Sequence, residues 1–308
     1  MARVLVCGTL AYDDIGVFDA PLDAGTRNVK LHRLDRGFGG CAMNIAYNLA
    51  GLGHRPVPFV YAGDDYAGEY ARHVTRAGIS ESGIFRIGGT PSARGIVLTG
   101  SDGQQFTAFY PGPSGLDRWA DDLDDLLAGS RCGGEAFEAA ILAPDLPVKT
   151  SGCAARIRGP ALRIWCPGQY AELLTEADLD TPLDWCNLLV VNRHEWRALA
   201  RLADAAGIER RVGRVVVTDG AGPVEIRPDG LTVAVPEVPH PVDPTGCGDA
   251  FVAALAAVLL EGGSLARAVT AGAGLAGRCL NTRGAQAHAV DTAGLPGAEI
   301  RGKDNKTQ

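Results

Sequence analysis

No stretch of this sequence stays apolar long enough to cross a bilayer; FVAALAAVLL, residues 251–260, is about half the length a spanning helix needs. Positive charge is in deficit, 29 Lys and Arg against 36 Asp and Glu for a net charge of -7. That balance excludes general affinity for nucleic acid or anionic membrane, so any phosphate must be held locally. Eight cysteines stand at 7, 41, 132, 153, 166, 186, 247 and 279 without a CxxC pair. A zinc site or disulfide framework is excluded, and reduced thiols point to the cytoplasm. His32, His54, His73, His194, His240 and His288 show no metal-ligand spacing. The opening MARVLVCGTLAYDD carries one arginine and a short apolar run that meets Asp13 and Asp14, so it reads as a first strand and not a signal peptide. No internal repeat is present, and the sequon Asn305-Lys306-Thr307 in the polar tail reads as chance.

What remains is a soluble globular composition, 46% hydrophobic and 21% charged over 308 residues, enough for one large or two ordinary domains. Short Val/Ile/Leu runs at 3–8, 56–63, 139–144, 162–168, 187–192 and 214–220 predict strands. Helical patterns lie between them, among them CAMNIAYNLAGLG, AGEYARHVTRAG and RHEWRALARLADAAG. Continuous apolar strands alternating with helices imply a mainly parallel sheet covered on both faces, a three-layer α/β/α architecture. Residues 92–112 read as a hairpin turning at Ser101-Asp102-Gly103, and 224–235 as a second around Pro228-Asp229-Gly230. The first hairpin, with residues 13–38, predicts a small β-sheet flap over the carboxyl ends of the parallel strands. DRWADDLDDLLAG, residues 117–129, reads as a solvated surface helix.

The densest run of special residues is HPVDPTGCGDAFVAALAAVLL, 240–260. Its glycines let backbone N–H groups converge, and the Ala-rich segment after them starts a helix close to Gly248. Free N–H groups at the positive end of a helix form an anion hole, and Asp249 falls in the first turn beside it. A carboxylate next to an anion hole can deprotonate an alcohol while the backbone absorbs phosphoryl charge. The bland alternative for an isolated GxGD is a helix cap. The full run Asp243-Pro244-Thr245-Gly246-Cys247-Gly248-Asp249-Ala250 resembles the C-terminal signature of the ribokinase family, the PfkB-type kinases of sugars and nucleosides.

Other segments resemble that family in order along the chain. The resemblance implies a ribokinase-like kinase domain over 1–300 with lid segments near 13–38 and 92–112, and a polar tail at 301–308. It makes Asp249 the catalytic base and Gly246, Cys247 and Gly248 the anion hole. It places Asp13, Gly39, Gly40 and Asn44 on substrate hydroxyls, and Asn192, Glu195, Thr218, Gly220 and Thr245 around ATP. Glu195 would organise Mg2+ through water, and K+ would sit near Asp243 and Thr245. Singly, Asp13 also reads as a turn residue, Asn44 as a cap and Asn192 with Glu195 as a capping box. Gly272–Gly277 fits GxGxxG and Gly297–Lys303 fits GxxxxGK. The first lies inside a helical segment without a preceding strand, and Asp304 follows the second where Ser or Thr is needed, so both read as decoys.

Cys7 to Asp13, Phe38 to Tyr47, Gln105 to Gly112 and Gly284 to His288 are similar to the bacterial adenosine kinase or broad nucleoside kinase branch. Phe109 or Tyr110 on the flap offers a ring for a base to stack on. The sequence departs from the branch at Arg94, a charge in a flap strand, at Cys166, where Asp is usual, and at Pro223, where a second glycine is expected. The expectation is an ATP-dependent transfer to the 5'-hydroxyl of an adenosine- or inosine-type ribonucleoside in the cytoplasm, with no nucleic acid or membrane partner and a homodimer through the lid. The alternatives are a PfkB-type kinase of ribose, fructose or a related sugar, and a nucleoside-binding sensor without turnover.

Overall fold

The computed structural model describes residues 1–291 apart from positions 24, 103, 132 and 133. The strands are β1 (Arg3–Cys7), β2 (Ala11–Phe18), β3 (Leu31–Gly39), β4 (Arg55–Ala62), β5 (Ile84–Arg86), β6 (Ala93–Thr99), β7 (Gln105–Tyr110), β8 (Ala139–Leu142), β9 (Leu162–Trp165), β10 (Leu188–Asn192), β11 (Val215–Asp219), β12 (Gly222–Arg227) and β13 (Leu231–Val233). The α-helices are α1 (Cys41–Gly51), α2 (Glu69–Arg76), α3 (Trp119–Leu127), α4 (Pro147–Arg156), α5 (Glu176–Trp185), α6 (Arg193–Leu202), α7 (Ala205–Val212), α8 (Cys247–Leu260) and α9 (Leu265–Leu280).

The main sheet has the order β13-β12-β11-β10-β9-β8-β1-β4-β5, parallel from β11 through β5, with β12 and β13 antiparallel at one edge. Alternation along β1 explains why its five residues are all buried. Val4 and Val6 pack with Met43 and Ile45 of α1, Leu255 of α8 and Val269 of α9. Leu5 and Cys7 face the opposite layer, with Cys153 of α4, Leu183 of α5 and Leu199 of α6. A strand apolar on both faces needs helices on both sides, and this gives the three layers expected.

A second sheet, β3-β2-β6-β7, forms the flap. β2 pairs antiparallel with β3 and parallel with β6, and β6 pairs antiparallel with β7. Cross-strand partners point the same way, so register sorts the faces. Asp13 is level with Gly37 and Gly95, and Gly95 with Phe109, which puts those four on one face. Tyr12, Phe38, Arg94 and Tyr110 share the other.

Several expectations change in detail. The pattern at 193–207 does not form one helix: Ala203 is extended, and the Asp204 side chain accepts from Gly207 N to start α7 anew. The expected solvated helix α3 has a buried acid, Asp122, which accepts from the Tyr61 hydroxyl at 2.8 Å and from Arg118. Gly272 lies inside α9, where a Cβ would come within 2.9 Å of Phe251, so helix packing accounts for that GxGxxG. Gly103 of the flap turn, the Gly297–Lys303 pattern, the 305–307 sequon and the 301–308 tail lie outside the described residues. Among the described residues no helix is long and apolar enough to cross a membrane.

Candidate active site

The start of α8 is set by its own loop. Asp243 is buried, and its carboxylate accepts from Thr245 N at 3.0 Å and from Gly284 N at 2.9 Å. Gly246 takes φ 81°, in the left-handed region, and a Cβ there would sit 2.4 Å from that of Ala285; only glycine fits. Cys247 N donates to Pro244 O at 3.2 Å, and Ala250 N donates to Gly246 O at 2.9 Å as the first helical bond. The N–H groups of Gly246, Gly248 and Asp249 have no backbone acceptor among the described residues, and a Cβ on Gly248 would meet nothing within 4 Å. The turn therefore offers Gly246, Gly248 and Asp249 amides to an anion, while the Cys247 amide is already engaged.

Asp249 meets Asn44, which lies 205 residues earlier in the chain. Asn44 Nδ2 donates to Asp249 Oδ2 at 2.8 Å from the first turn of α1. That helix begins where Gly40 adopts φ 88°, so close to the β1–β2 loop that a Cβ would lie 2.5 Å from Thr9 O. Behind Asn44, Gln286 Nε2 donates to Asn44 Oδ1 at 2.9 Å and to Tyr70 OH at 3.3 Å, and Tyr70 OH donates to Gly39 O at 2.6 Å. His73 Nε2 lies 2.9 Å from Gln286 Oε1. The carboxylate can only accept, so each amide in turn presents its oxygen backwards, and His73 must donate through Nε2. The chain of bonds fixes the position of the Asp249 carboxylate.

Asp13 stands over this site from the flap. A Cβ on Gly39 would lie 2.0 Å from its Oδ2, and one on Gly95 2.8 Å from its Oδ1, so the two glycines leave the carboxylate its room. Burial pushes Asp13 up to about 7, with Asp243 and Asp14 adding to the effect. Asp249 is also pushed up to about 7; burial leads, the Asn44 bond opposes, and the charges of Asp13 and Glu195 add to the rise. Two carboxyls pushed up to about 7, the charge of one acting on the other, have the proton affinity that general acid–base chemistry requires.

At the carboxyl ends of β10 and β11, Asn192 is level with Thr218. Asn192 accepts from His194 N and Glu195 N at 2.9 Å and donates through Nδ2 to Glu195 Oε1 at 2.6 Å, so the capping box expected from sequence is present. Burial raises Glu195, whose charge reaches Asp249. Thr218 Oγ1 donates to Val191 O at 3.4 Å, and Gly220 turns the chain at φ 57°. Asn44 and Asp249 are joined directly; Asn192, Thr218 and Gly220 line neighbouring strand ends.

The aromatic pair on β7 separates. Phe109 shares the face of Asp13 and is 44% exposed, whereas Tyr110 lies on the other face and meets Thr90 Oγ1 at 3.1 Å. Arg94 also lies on that outer face: Nη1 bonds Asp14 at 3.1 Å within the flap, and Nη2 bonds Asp65 at 2.9 Å in the short 3-10 turn after β4. It ties flap to body. Sequence reasoning missed Tyr70 and His73; it read the Gly63–Gly68 segment, which contains Asp65, as mainly architectural. It also missed a buried pair, Lys149 Nζ 2.6 Å from Asp145 Oδ2, whose ammonium reaches Gly8 O at 3.4 Å. The Gly284–His288 motif was the one available signal for Gln286.

A poised carboxylate at a helix start, beside amides without a backbone acceptor and close to a small separate sheet, defines a phosphotransferase class of site on a ribokinase-like α/β fold. Residues 1–293 match the pfkB family of carbohydrate kinases, and the chain belongs to that family. It is 27% identical to a nucleoside kinase of Methanothermobacter thermautotrophicus over 94% of this chain and 93% of that one. The structure of Burkholderia thailandensis nucleoside kinase in complex with inosine superposes with a TM-score of 0.79 at 27% identity, covering 94% of each chain; that kinase is also known in complex with ADP-inosine. The nucleoside kinase of Methanocaldococcus jannaschii, an archaeal member of the ribokinase family, shares the fold with a TM-score of 0.81 at 21% identity, covering 94% of this chain and 95% of that one.

Proposed function

We propose that this chain is a cytoplasmic kinase that transfers the γ-phosphate of ATP to the 5'-hydroxyl of a ribonucleoside of the adenosine or inosine type, with residues 1–300 as the catalytic unit. The observation that carries the reading is Asp249, a carboxylate pushed up to about 7 and held by Asn44, beside the unengaged amides of Gly246, Gly248 and Asp249. Asp249 takes the proton of the attacking hydroxyl, and the amides of the 246–249 turn receive the charge that builds on the phosphoryl oxygens. Asp13, with Asn44 and the backbone at Gly39 and Gly40, grips ribose hydroxyls. Phe109 stacks on the base, and the flap keeps water from the γ-phosphate. Asn192, Glu195, Thr218, Gly220 and Thr245 bind the nucleotide.

Among the described residues no group of three or more His, Cys, Asp or Glu is placed to hold a metal ion by itself, so Mg2+ would come with the phosphates of ATP, and Glu195, whose charge acts on Asp249, would face it through water. Bound with ATP, the ion would neutralise phosphate charge. K+ is assigned to the loop of Asp243 and Thr245. A homodimer through the lid is supported by its outer face, where Leu34, Ile96 and Phe106 are exposed. Nucleoside over free sugar rests on the kinase relatives at 27% identity and on Phe109 facing Asp13.

The test is ATP-to-ADP turnover against adenosine, inosine, guanosine, cytidine, ribose, fructose and fructose 6-phosphate, with product mass determined. A nucleoside 5'-monophosphate is expected. Phosphorylation of a free sugar alone would replace the substrate, and nucleoside binding without turnover would indicate a sensor.

A further inference from the structure

The Asp249 carboxylate is reached from the surface through a line of amides that ends on an imidazole. Asn44 and Gln286 are buried, and their side-chain amides lie in series between Asp249 and His73, which is partly exposed on α2. An amide keeps nearly the same shape when its oxygen and nitrogen change places, so such a line can run in two directions. In one, His73 donates to Gln286, Gln286 to Asn44 and Asn44 to Asp249. In the other every bond reverses, and Asn44 turns its oxygen to a carboxylate that, while ionised, has no hydrogen to give. We propose that His73 is a positioning residue for phosphoryl transfer: as the hydrogen donor to Gln286, it fixes the direction of the amide line and so the group that Asn44 presents to Asp249. The proposal rests on Asp249 being the base of the reaction proposed above.

Tyr70 sets the same direction independently of the carboxylate. The one proton of its hydroxyl goes to Gly39 O at 2.6 Å, so toward Gln286 it accepts, and Gln286 Nε2 lies 3.3 Å away. Gln286 Oε1 is thereby left for His73 Nε2, at 2.9 Å its one donor among the described residues. Without that donor a buried amide oxygen loses its partner, and the line loses what holds its outer end. The ring is itself held in place. It stacks on Phe38 of β3, with centroids 4.2 Å apart and planes 14° apart, and on Tyr47 of α1 at 5.7 Å and 18°. Burial lowers the His73 imidazole from its ordinary value; the Gln286 bond opposes and Arg76 adds to the fall. The neutral ring carries one hydrogen, and the Gln286 oxygen draws it to Nε2.

The consequence lies at the carboxylate. With Asn44 donating to Oδ2 at 2.8 Å, Oδ1 is the oxygen left for the proton of the attacking hydroxyl. A reversed Asn44 would set its oxygen against the carboxylate and push it from that position.

The first test uses the unaltered full chain: nitrogen NMR of its histidine rings at about pH 8, where a neutral imidazole shows which nitrogen holds the hydrogen. The Nε2–H form is expected at His73, and the Nδ1–H form would overturn the proposal. H73Q and H73M then separate direction from packing. The two side chains are nearly equal in shape and lose the ring's stacking alike, but only the amide of H73Q can donate to Gln286. H73M should turn over about tenfold more slowly than H73Q, the scale of one hydrogen bond, with the same KM for ATP. The Asn44 amide proton that faces Asp249 should keep its downfield NMR position in H73Q and lose it in H73M. Equal turnover in the two variants, or the same Asn44 signal in both, would show that His73 serves packing alone. The NMR signals are read without substrate, so a panel in which no acceptor is phosphorylated tells against the kinase reading and leaves the amide line to be judged by its own signals.

Discussion

Replacing Asp249 by Asn should stabilise the protein while removing its activity, and the stabilisation should depend on pH. Asp249 is pushed from 3.8 up to about 7 in the folded chain, first by burial and then by the charges of Asp13 and Glu195. A raised folded-state value means the folded protein holds this proton more tightly than the unfolded one. Stability is therefore undiminished below about 3.8, falls as pH rises, and bears the full cost above about 7. Three decades of proton affinity correspond to about 4 kcal/mol at about 1.4 kcal/mol per decade. The side chain is partly open to solvent, and screening reduces this to about 2 kcal/mol. An asparagine amide oxygen can still accept from Asn44, so the exchange leaves the hydrogen-bond chain in place. Thermal or urea denaturation should show Asp249→Asn about 2 kcal/mol more stable at pH 8, about 4 °C in Tm, with the advantage less than half as large at pH 5. Its turnover should fall by about 10² to 10⁴, and wild-type turnover should decline below about pH 7 as the base protonates. A variant less stable than wild type at pH 8, a gap that ignores pH, or turnover within tenfold of wild type would refute the reasoning.

Other outcomes follow from the flap. Gly39→Ala drives a Cβ to 2.0 Å from Asp13 Oδ2, so KM for nucleoside should rise at least about tenfold while the unfolding midpoint moves little; titration with inosine checks it. Arg94→Met removes the link between Asp14 in the flap and Asp65 in the body, and should raise both nucleoside KM and acceptor-independent ATP hydrolysis by about threefold or more. An ADP-release assay without nucleoside separates this from simple destabilisation. Phe109→Ala should cost about 1 kcal/mol in nucleoside binding, about fivefold in KM, where Tyr110→Ala costs much less, because only Phe109 shares the face of Asp13.

Much of the fold was legible because it rests on local rules. Apolar runs identified six of the parallel strands to within two or three residues at their ends, and PDG at 228–230 marked the hairpin of β12 and β13. The three-residue strand β5 was missed, since IFR is too short to carry a period. The pattern at 193–207 misled because it continues through Ala203, where the Asp204 cap ends one helix and begins another. Asp14 beside Asp13 shows the limit at the site: the resemblance singled out Asp13, but that strand alternation turns Asp14 to the other face and onto Arg94 was not legible before the flap was built.

The sequence alone determined the turn that starts α8. Gly246, the proline before it and the Ala-rich helix after it act within a few residues, through backbone sterics and helix propensity, and they bring Asp249 into the first turn wherever the helix lies. Only the tertiary structure decided what surrounds that carboxylate. Asn44, Gln286, Tyr70 and His73 come from separate parts of the chain and meet because α1, α2 and the loop after α9 converge on the same carboxyl ends of the sheet. The same is true of the faces of the flap and of the Arg94 tie. The physical reason is reach: steric and propensity terms act over a few residues, whereas burial and charge depend on whatever packing brings within a few ångströms.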